Sequence, residues 1–202
     1  AKALFLAVGA LGATALRVAL AALILAALTR PWRGLRRGVR WPAVLPYGLV
    51  LGLMNILIYQ AFARIPIGLA VAIELIGPLA VVIIGSRKVQ DLLFAGLAMA
   101  GLALLLPLKG AAGLDLLGVG FALGAAASWA LYILLGSRAA GAGSGPQTVA
   151  LGLAAATLVT APLGLWSAGA ALFRPKALAA GLALAVLSSA APYTLEMMAL
   201  RR

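Results

Sequence analysis

Residues 66–85 read Pro66-Ile67-Gly68-Leu69-Ala70-Val71-Ala72-Ile73-Glu74-Leu75-Ile76-Gly77-Pro78-Leu79-Ala80-Val81-Val82-Ile83-Ile84-Gly85. Apart from Glu74 the stretch carries no polar side chain, and it is bounded by Arg64 on one side and Arg87-Lys88 on the other. A helix of about 20 apolar residues crosses a bilayer core, so this is a membrane span with a carboxylate near its middle. An acid at that depth costs about 2.5 kcal/mol or more to insert. It is there either for function or as a neutral group bonded to a neighbouring helix. Gly77-Pro78 follow at once. Pro78 has no N–H for the carbonyl one turn back, which is that of Glu74 itself. A freed carbonyl beside a carboxylate suits an ammonium group or a proton; a plain packing kink is the alternative.

The rest of the chain has the same character. Of 202 residues, 65% are hydrophobic and 10% charged, with a mean hydropathy of +1.14. A soluble domain carries about 25% charged residues, so this chain cannot clothe itself in polar groups and lipid must be its solvent. It contains neither Cys nor His. That excludes disulfides, the usual zinc sites, haem ligation by His and Cys or Ser-His nucleophile chemistry. No cofactor, metal or catalytic residue is expected, and the residue inventory disfavours an intramembrane enzyme. The net charge of +12 would suggest nucleic acid in a soluble protein. Here the basic residues sit mostly in short gaps between apolar runs and read as a topology signal, with no nucleic-acid partner implied. The chain starts at Ala1 and stops at Arg201-Arg202, each beside an apolar run; a piece of a longer protein is expected.

Breakers and charges divide the chain into eight apolar segments: a partial one at about 1–11, then 13–28, 43–63, 66–85, 91–107, 115–137, 146–167 and 177–200. With the 29–42 gap taken as cytoplasmic, alternation puts Arg30, Arg33, Arg36, Arg37, Arg40, Arg87, Lys88, Arg138, Arg201 and Arg202 inside. Only Arg64, Lys109, Arg174 and Lys176 fall outside. The excess of Lys and Arg on one side is that of a positive-inside protein. A faint internal repeat accompanies it. A shift of 134 residues carries Thr14 onto Thr148, Trp32 onto Trp166, Arg40 onto Arg174 and Ala43 onto Ala177. The shift spans five segments, an odd number, so the copies would run in opposite directions as an inverted repeat, the plan of many secondary transporters.

Other polar residues cluster on helix faces. Gly48, Gly52, Asn55 and Tyr59 share one face of the third segment. The glycines allow close approach, and Asn55 and Tyr59 either line a pathway or glue helices. Gly120, Gly124, Ser128 and Tyr132 repeat the device in the sixth segment, where tight packing is the favoured reading. Trp129 beside them lies too deep for the interfacial belt that Trp32, Trp41 and Trp166 fit. In the eighth segment Ser189, Tyr193 and Glu196 share a face, next to Pro192. Glu196 either serves function or reaches headgroups and Arg201. Arg17 lies early in the second segment, near the outer side. There it can snorkel, pair with a carboxylate, or hold an anionic substrate group.

Six stretches together resemble a known family: Ala13-Thr14-Ala15-Leu16-Arg17, Thr29-Arg30-Pro31-Trp32-Arg33, Ile65 to Glu74, Gly77-Pro78-Leu79-Ala80-Val81, Ser128 to Leu134, and Ala191-Pro192-Tyr193-Thr194-Leu195-Glu196-Met197. Their order and spacing resemble the EamA-type branch of the drug/metabolite transporter superfamily, and within it the threonine/homoserine exporter group. The resemblance covers essentially the whole chain. It implies ten spans as two inverted five-helix repeats, an inner-membrane location, and proton-linked efflux of small amino acids or related metabolites. Residues 1–107 would be the first repeat with its first span truncated, and 115–202 the second with its last two spans missing.

The sequence therefore predicts an all-α, polytopic transmembrane bundle that exports a small molecule against protons. The expected pathway residues are Glu74 first, then Glu196, with Asn55, Tyr59, Trp129, Tyr193 and Arg17 around them. The partners are substrate, protons and the lipid bilayer, and a homodimer is left open. The rival reading is a structural or assembly membrane protein in which these polar groups only join helices.

Overall fold

The structure, a computed structural model, describes residues 2–32, 40–86, 88–105, 114–140 and 145–199. The basic stretch 33–39, Arg87, Lys109, Arg201 and Arg202 lie outside the described residues. So does the side chain of Glu196. Among the described residues every regular element is helical.

The expected segments 1–11 and 13–28 are joined in one element, α1 (Lys2–Thr29). Its break falls at Gly9, with φ 70° and ψ 179°, a left-handed backbone that glycine adopts without strain. Gly12 instead packs against a later helix, where a Cβ would come within 2.9 Å of the Ala168 methyl group. The helix ends at Arg30, whose φ is 48°, and Pro31 prevents its continuation. Then come α2 (Trp41–Phe62), with Pro42 in its first turn, and the Arg64-Ile65-Pro66 turn. The span read from residues 66–85 is two pieces, α3 (Ile67–Glu74) and α4 (Ile76–Gly85), parted at Leu75. The break lies one turn before Pro78, where the missing N–H removes a helical bond. After it follow α5 (Val89–Leu105), α6 (Leu116–Ala140) and α7 (Gly145–Ala168) with a short 3-10 extension. The last span is α8 (Pro175–Ala185), a π-helical turn (Val186–Ala190) and α9 (Ala191–Ala199).

Among the described residues six helical stretches are long and apolar enough to cross a membrane: Leu4–Thr29, Trp41–Phe62, Ile67–Gly85, Leu116–Ala140, Pro146–Phe173 and Pro175–Leu195. Helix α5 is apolar but shorter. Large apolar side chains such as Leu6, Ile84, Phe94 and Leu187 point outward, as they must where lipid is the solvent. Trp32, Trp41 and Trp166 are exposed as well, which suits an interfacial belt.

Side-chain contacts fix the directions of the helices. Gly12 meets Ala168, Gly164 meets Ala15, and Gln147 Nε2 donates to the Thr29 carbonyl at 3.3 Å, so α1 and α7 are antiparallel. Gly48 meets Gly152 and Ala155, and Gly52 meets Ala156, so α2 and α7 are parallel. Tyr47 meets Tyr132 and Ile65 meets Gly118, so α2 and α6 are antiparallel. These three relations are those of strict alternation through the membrane from α1 onward. Apolar side chains gain little from leaving lipid for another helix, so small residues carry the interfaces. At Gly48 a Cβ would strike the backbone of Gly152, and at Gly52 it would lie 3.1 Å from Ala156 Cα.

At one end of the bundle an ion pair ties the α2–α3 turn to α6. Arg64 reaches Asp115 at 3.3 Å and lies 5.5 Å over the Phe121 ring. The Asp115 carboxyl also accepts the Leu117 N–H at 2.9 Å, capping α6. Partial desolvation opposes its ionisation. The bonds from the Leu117 N–H, the Arg64 side chain and the Gly118 N–H, with the Arg64 charge, outweigh that and hold it below the usual carboxylate range.

The alternation makes a topological prediction. The chain lacks Cys, so single cysteines are clean probes. A cysteine within 33–39 is expected to resist a membrane-impermeant thiol reagent added from the periplasmic side, and one at Lys176 to react. Labelling of the 33–39 probe from that side would reverse the orientation.

Candidate functional site

The polar residues on the inner faces of the bundle meet in two adjoining clusters. The first is built on Arg17. Because the break in α1 falls at Gly9, Arg17 lies well inside the helix that continues to Thr29 rather than near an outer end. It is 6% exposed and does not snorkel. Its Nη1 donates to the Ser188 carbonyl at 3.2 Å and to the Ser188 hydroxyl at 3.3 Å. Its guanidinium carbon sits 4.8 Å above the Tyr59 ring. Arg17 Nε is buried with no partner among the described residues.

The Ser188 carbonyl is available for a chemical reason. Pro192 stands four residues on and has no N–H to give it. The helix answers with the π-turn, in which the Ala191 N–H reaches back to the Val186 carbonyl. Turns of this kind are frequent at functional sites. Ser189, on the same turn, is fully buried, and its hydroxyl has no partner among the described residues.

Glu74 closes α3 and is 8% exposed. It takes part in no ion pair: Arg64–Asp115 is the only salt bridge among the described residues. Gly77, just beyond the break, is pressed onto α6 so closely that a Cβ would strike the Ala126 carbonyl. That contact sets where the end of α3, and with it Glu74, stands in the bundle.

The second cluster is a chain of hydroxyls and an amide. Asn55 is 1% exposed; its Nδ2 donates to the Leu51 carbonyl at 2.7 Å and to the Tyr193 hydroxyl at 3.3 Å. The Tyr193 ring tilts against Tyr132 at 6.1 Å, and Tyr132 stacks on Tyr47 at 5.1 Å with their hydroxyls 3.3 Å apart. Trp129 is half-buried against this group. The clusters are continuous: Asn55 and Tyr59 are one turn apart on α2, and Ser189 and Tyr193 one turn apart on the last span.

The expected residues Arg17, Asn55, Tyr59, Glu74, Trp129 and Tyr193 thus all belong to the packed interior. The structure adds Tyr47 and Ser188. It also corrects the glycine stripe of α6. Gly120 meets nothing within 4 Å, whereas Gly118 packs on Ile65 and Arg64, and Gly124 on Leu57. Gly124, Ser128 and Tyr132 of that stripe are packed as expected, and Gly120 alone is not.

Above Tyr59 an apolar groove of about 600 Å³ opens at the Arg64 end, lined in part by Phe5, Gly9, Phe62 and Pro66. Phe5 and Phe62 also pack on Tyr59, with ring centroids 5.2 and 5.6 Å away. Tyr59 thus touches both Arg17 and two residues that line the groove.

No protein-family model and no solved structure matches the chain. Curated bacterial proteins do, among them the following two. The threonine/homoserine exporter RhtA of Escherichia coli (strain K12) is 50% identical over 204 residues, covering 100% of this chain and 68% of that protein. The protein of the same name from Salmonella typhimurium (strain SL1344) matches with the same identity and coverage. Identity at this level along the whole chain shows the family. This is a multi-pass membrane protein, and it belongs to the threonine/homoserine exporter family.

Proposed function

We propose that the protein exports small amino acids of the threonine/homoserine class across the bacterial inner membrane in exchange for protons. One observation carries the reading: Glu74 and Arg17, both more than nine-tenths buried, share the interior of a chain half identical to proteins named as exporters of such amino acids. In this reading a proton from outside and the substrate compete for the Glu74 carboxylate, which holds one or the other. Access alternates between the two membrane faces. The groove above Tyr59 is the outer vestibule, and Tyr59 moves aside to open it.

The frame for alternation is an inverted repeat. The antiparallel pair α1 and α7, which the 134-residue shift relates, supports it: Gly12 meets Ala168, Gly164 meets Ala15, and Gln147 reaches the Thr29 carbonyl. The same shift carries Tyr59 onto Tyr193 and Asn55 onto Ser189. Arg17 has Leu151 as its counterpart, so the charge belongs to one half only.

Efflux tests the reading. Cells expressing the full-length protein are loaded with a panel of labelled amino acids and followed for release. Threonine and homoserine are expected to leave fastest, with release slowed when the proton gradient is collapsed. Absence of efflux for every amino acid in the panel would reject it.

A further inference from the structure

We infer that Arg17 is the carboxylate seat of the export pathway: the Nε edge of its guanidinium, held in place by the π-turn at Ser188 and the Tyr59 ring, takes the α-carboxylate of the exported amino acid. The inference rests on the export reading above and adds the group by which the substrate class is recognised.

A guanidinium is a permanent cation with five N–H donors in a planar fork. Arg17 is 6% exposed, and no carboxylate pairs with it among the described residues. Its hydrogen bonds and its ring contact there are all with neutral groups. Nη1 donates to the Ser188 carbonyl and hydroxyl. That hydroxyl in turn donates to the Leu184 carbonyl at 2.6 Å, which leaves its lone pairs to Arg17. The guanidinium carbon lies 4.8 Å over the Tyr59 ring. These anchors come from two other spans. They fix the fork in place without neutralising it, and a buried charge with no counter-ion is expensive.

Unspent hydrogen-bonding atoms gather at the same place. Three buried side-chain polar atoms have no partner among the described residues, and two of them, Arg17 Nε and Ser189 Oγ, belong to this contact of α1 with the π-turn. A donor left unsatisfied away from water is costly. The ligand that meets the Nε side of an arginine with two parallel bonds is a carboxylate. A way in lies close by. The Tyr59 ring that holds the guanidinium also packs on Phe5 and Phe62, which line the groove of about 600 Å³, a volume in the range of small-molecule pockets. An α-carboxylate satisfies the open edge and supplies the missing counter-charge together; an uncharged ester does neither.

The test is ligand binding to the purified full-length protein by calorimetry. The probes are L-threonine and its methyl ester, which keeps the ammonium group and lacks the carboxylate. Wild type is expected to bind threonine about 10- to 100-fold more tightly than the ester, the worth of one charge-assisted bond. Arg17→Gln should bring that ratio close to one by weakening threonine, with the ester unchanged. Arg17→Lys keeps the charge and loses the fork, so threonine should weaken about 10-fold with the ester again unchanged; it decides the matter if the glutamine variant does not fold. Phosphatidylglycerol added to the micelles should leave threonine affinity as it was. A purely structural role would lower both ligands in parallel and keep the ratio intact, which overturns the inference. So does competition by the lipid, which would assign the guanidinium to an anionic headgroup. Wild type that binds neither probe while cells expressing it export threonine overturns the inference alone. Cells that export no amino acid remove the export reading on which it rests.

Discussion

Glu74→Gln is expected to bring proton-driven export of threonine down by about two orders of magnitude, the upper range for losing one charge-assisted contact to substrate, with insertion and yield unchanged. The amide is nearly isosteric with the carboxyl group and loses only the titratable charge. If Glu74 joins helices, glutamine supplies that hydrogen bond nearly as well and transport persists. If it exchanges proton for substrate, the variant can no longer couple the two. The comparison is efflux rate divided by the amount of protein in the membrane. Near-normal export in that variant would take the coupling role from Glu74 and leave Glu196 as the remaining carboxylate within a span to test.

The second large effect is structural. Gly77→Leu is expected to prevent the folded bundle from accumulating, because a Cβ at Gly77 strikes the Ala126 carbonyl and comes within 3.1 Å of Ala126 Cα. The obstacle is backbone in the middle of α6, which cannot swing away as a side-chain tip would. Gly77→Ala alone should lose about 1–3 kcal/mol, the usual range for overpacking. Gly101 offers the control, since nothing lies within 4 Å of a Cβ there; Gly101→Leu should leave yield and melting unchanged. Wild-type melting in detergent for Gly77→Leu would mean that α4 and α6 do not approach as described. The same contact positions Glu74, so Gly77→Ala should weaken threonine binding even where it folds.

Much of this was legible in the sequence because proline chemistry is local. The missing N–H of Pro78 predicts a break one turn earlier, and the helix parts at Leu75. The same rule applied to Pro192 points to the Ser188 carbonyl. Ser188 is visible once both prolines are treated alike. Helix directions were legible from charge alone, and the contacts among α1, α2, α6 and α7 agree with them.

Other features depend on packing that one sequence does not carry. Gly118 and Gly120 are equally good candidates for a close approach, and which one meets a neighbour depends on the rotation of α6. The place of Arg17 was misjudged because Gly12 and Gly9 are equally plausible breaks; moving the break to Gly9 carries Arg17 into the middle of its helix. The Tyr47–Tyr132–Tyr193 chain joins three helices distant in sequence. No local pattern announces it.

The most direct test of the central claim is proton release on substrate binding. Purified full-length protein in weakly buffered solution is mixed with L-threonine, and proton uptake or release is read with a pH dye, starting at a pH where Glu74 is protonated in the free protein. Competition at one carboxylate predicts about one proton released for each threonine bound by wild type, and none in Glu74→Gln. Threonine bound by wild type with no proton released at any pH at which the protein is folded would contradict the account.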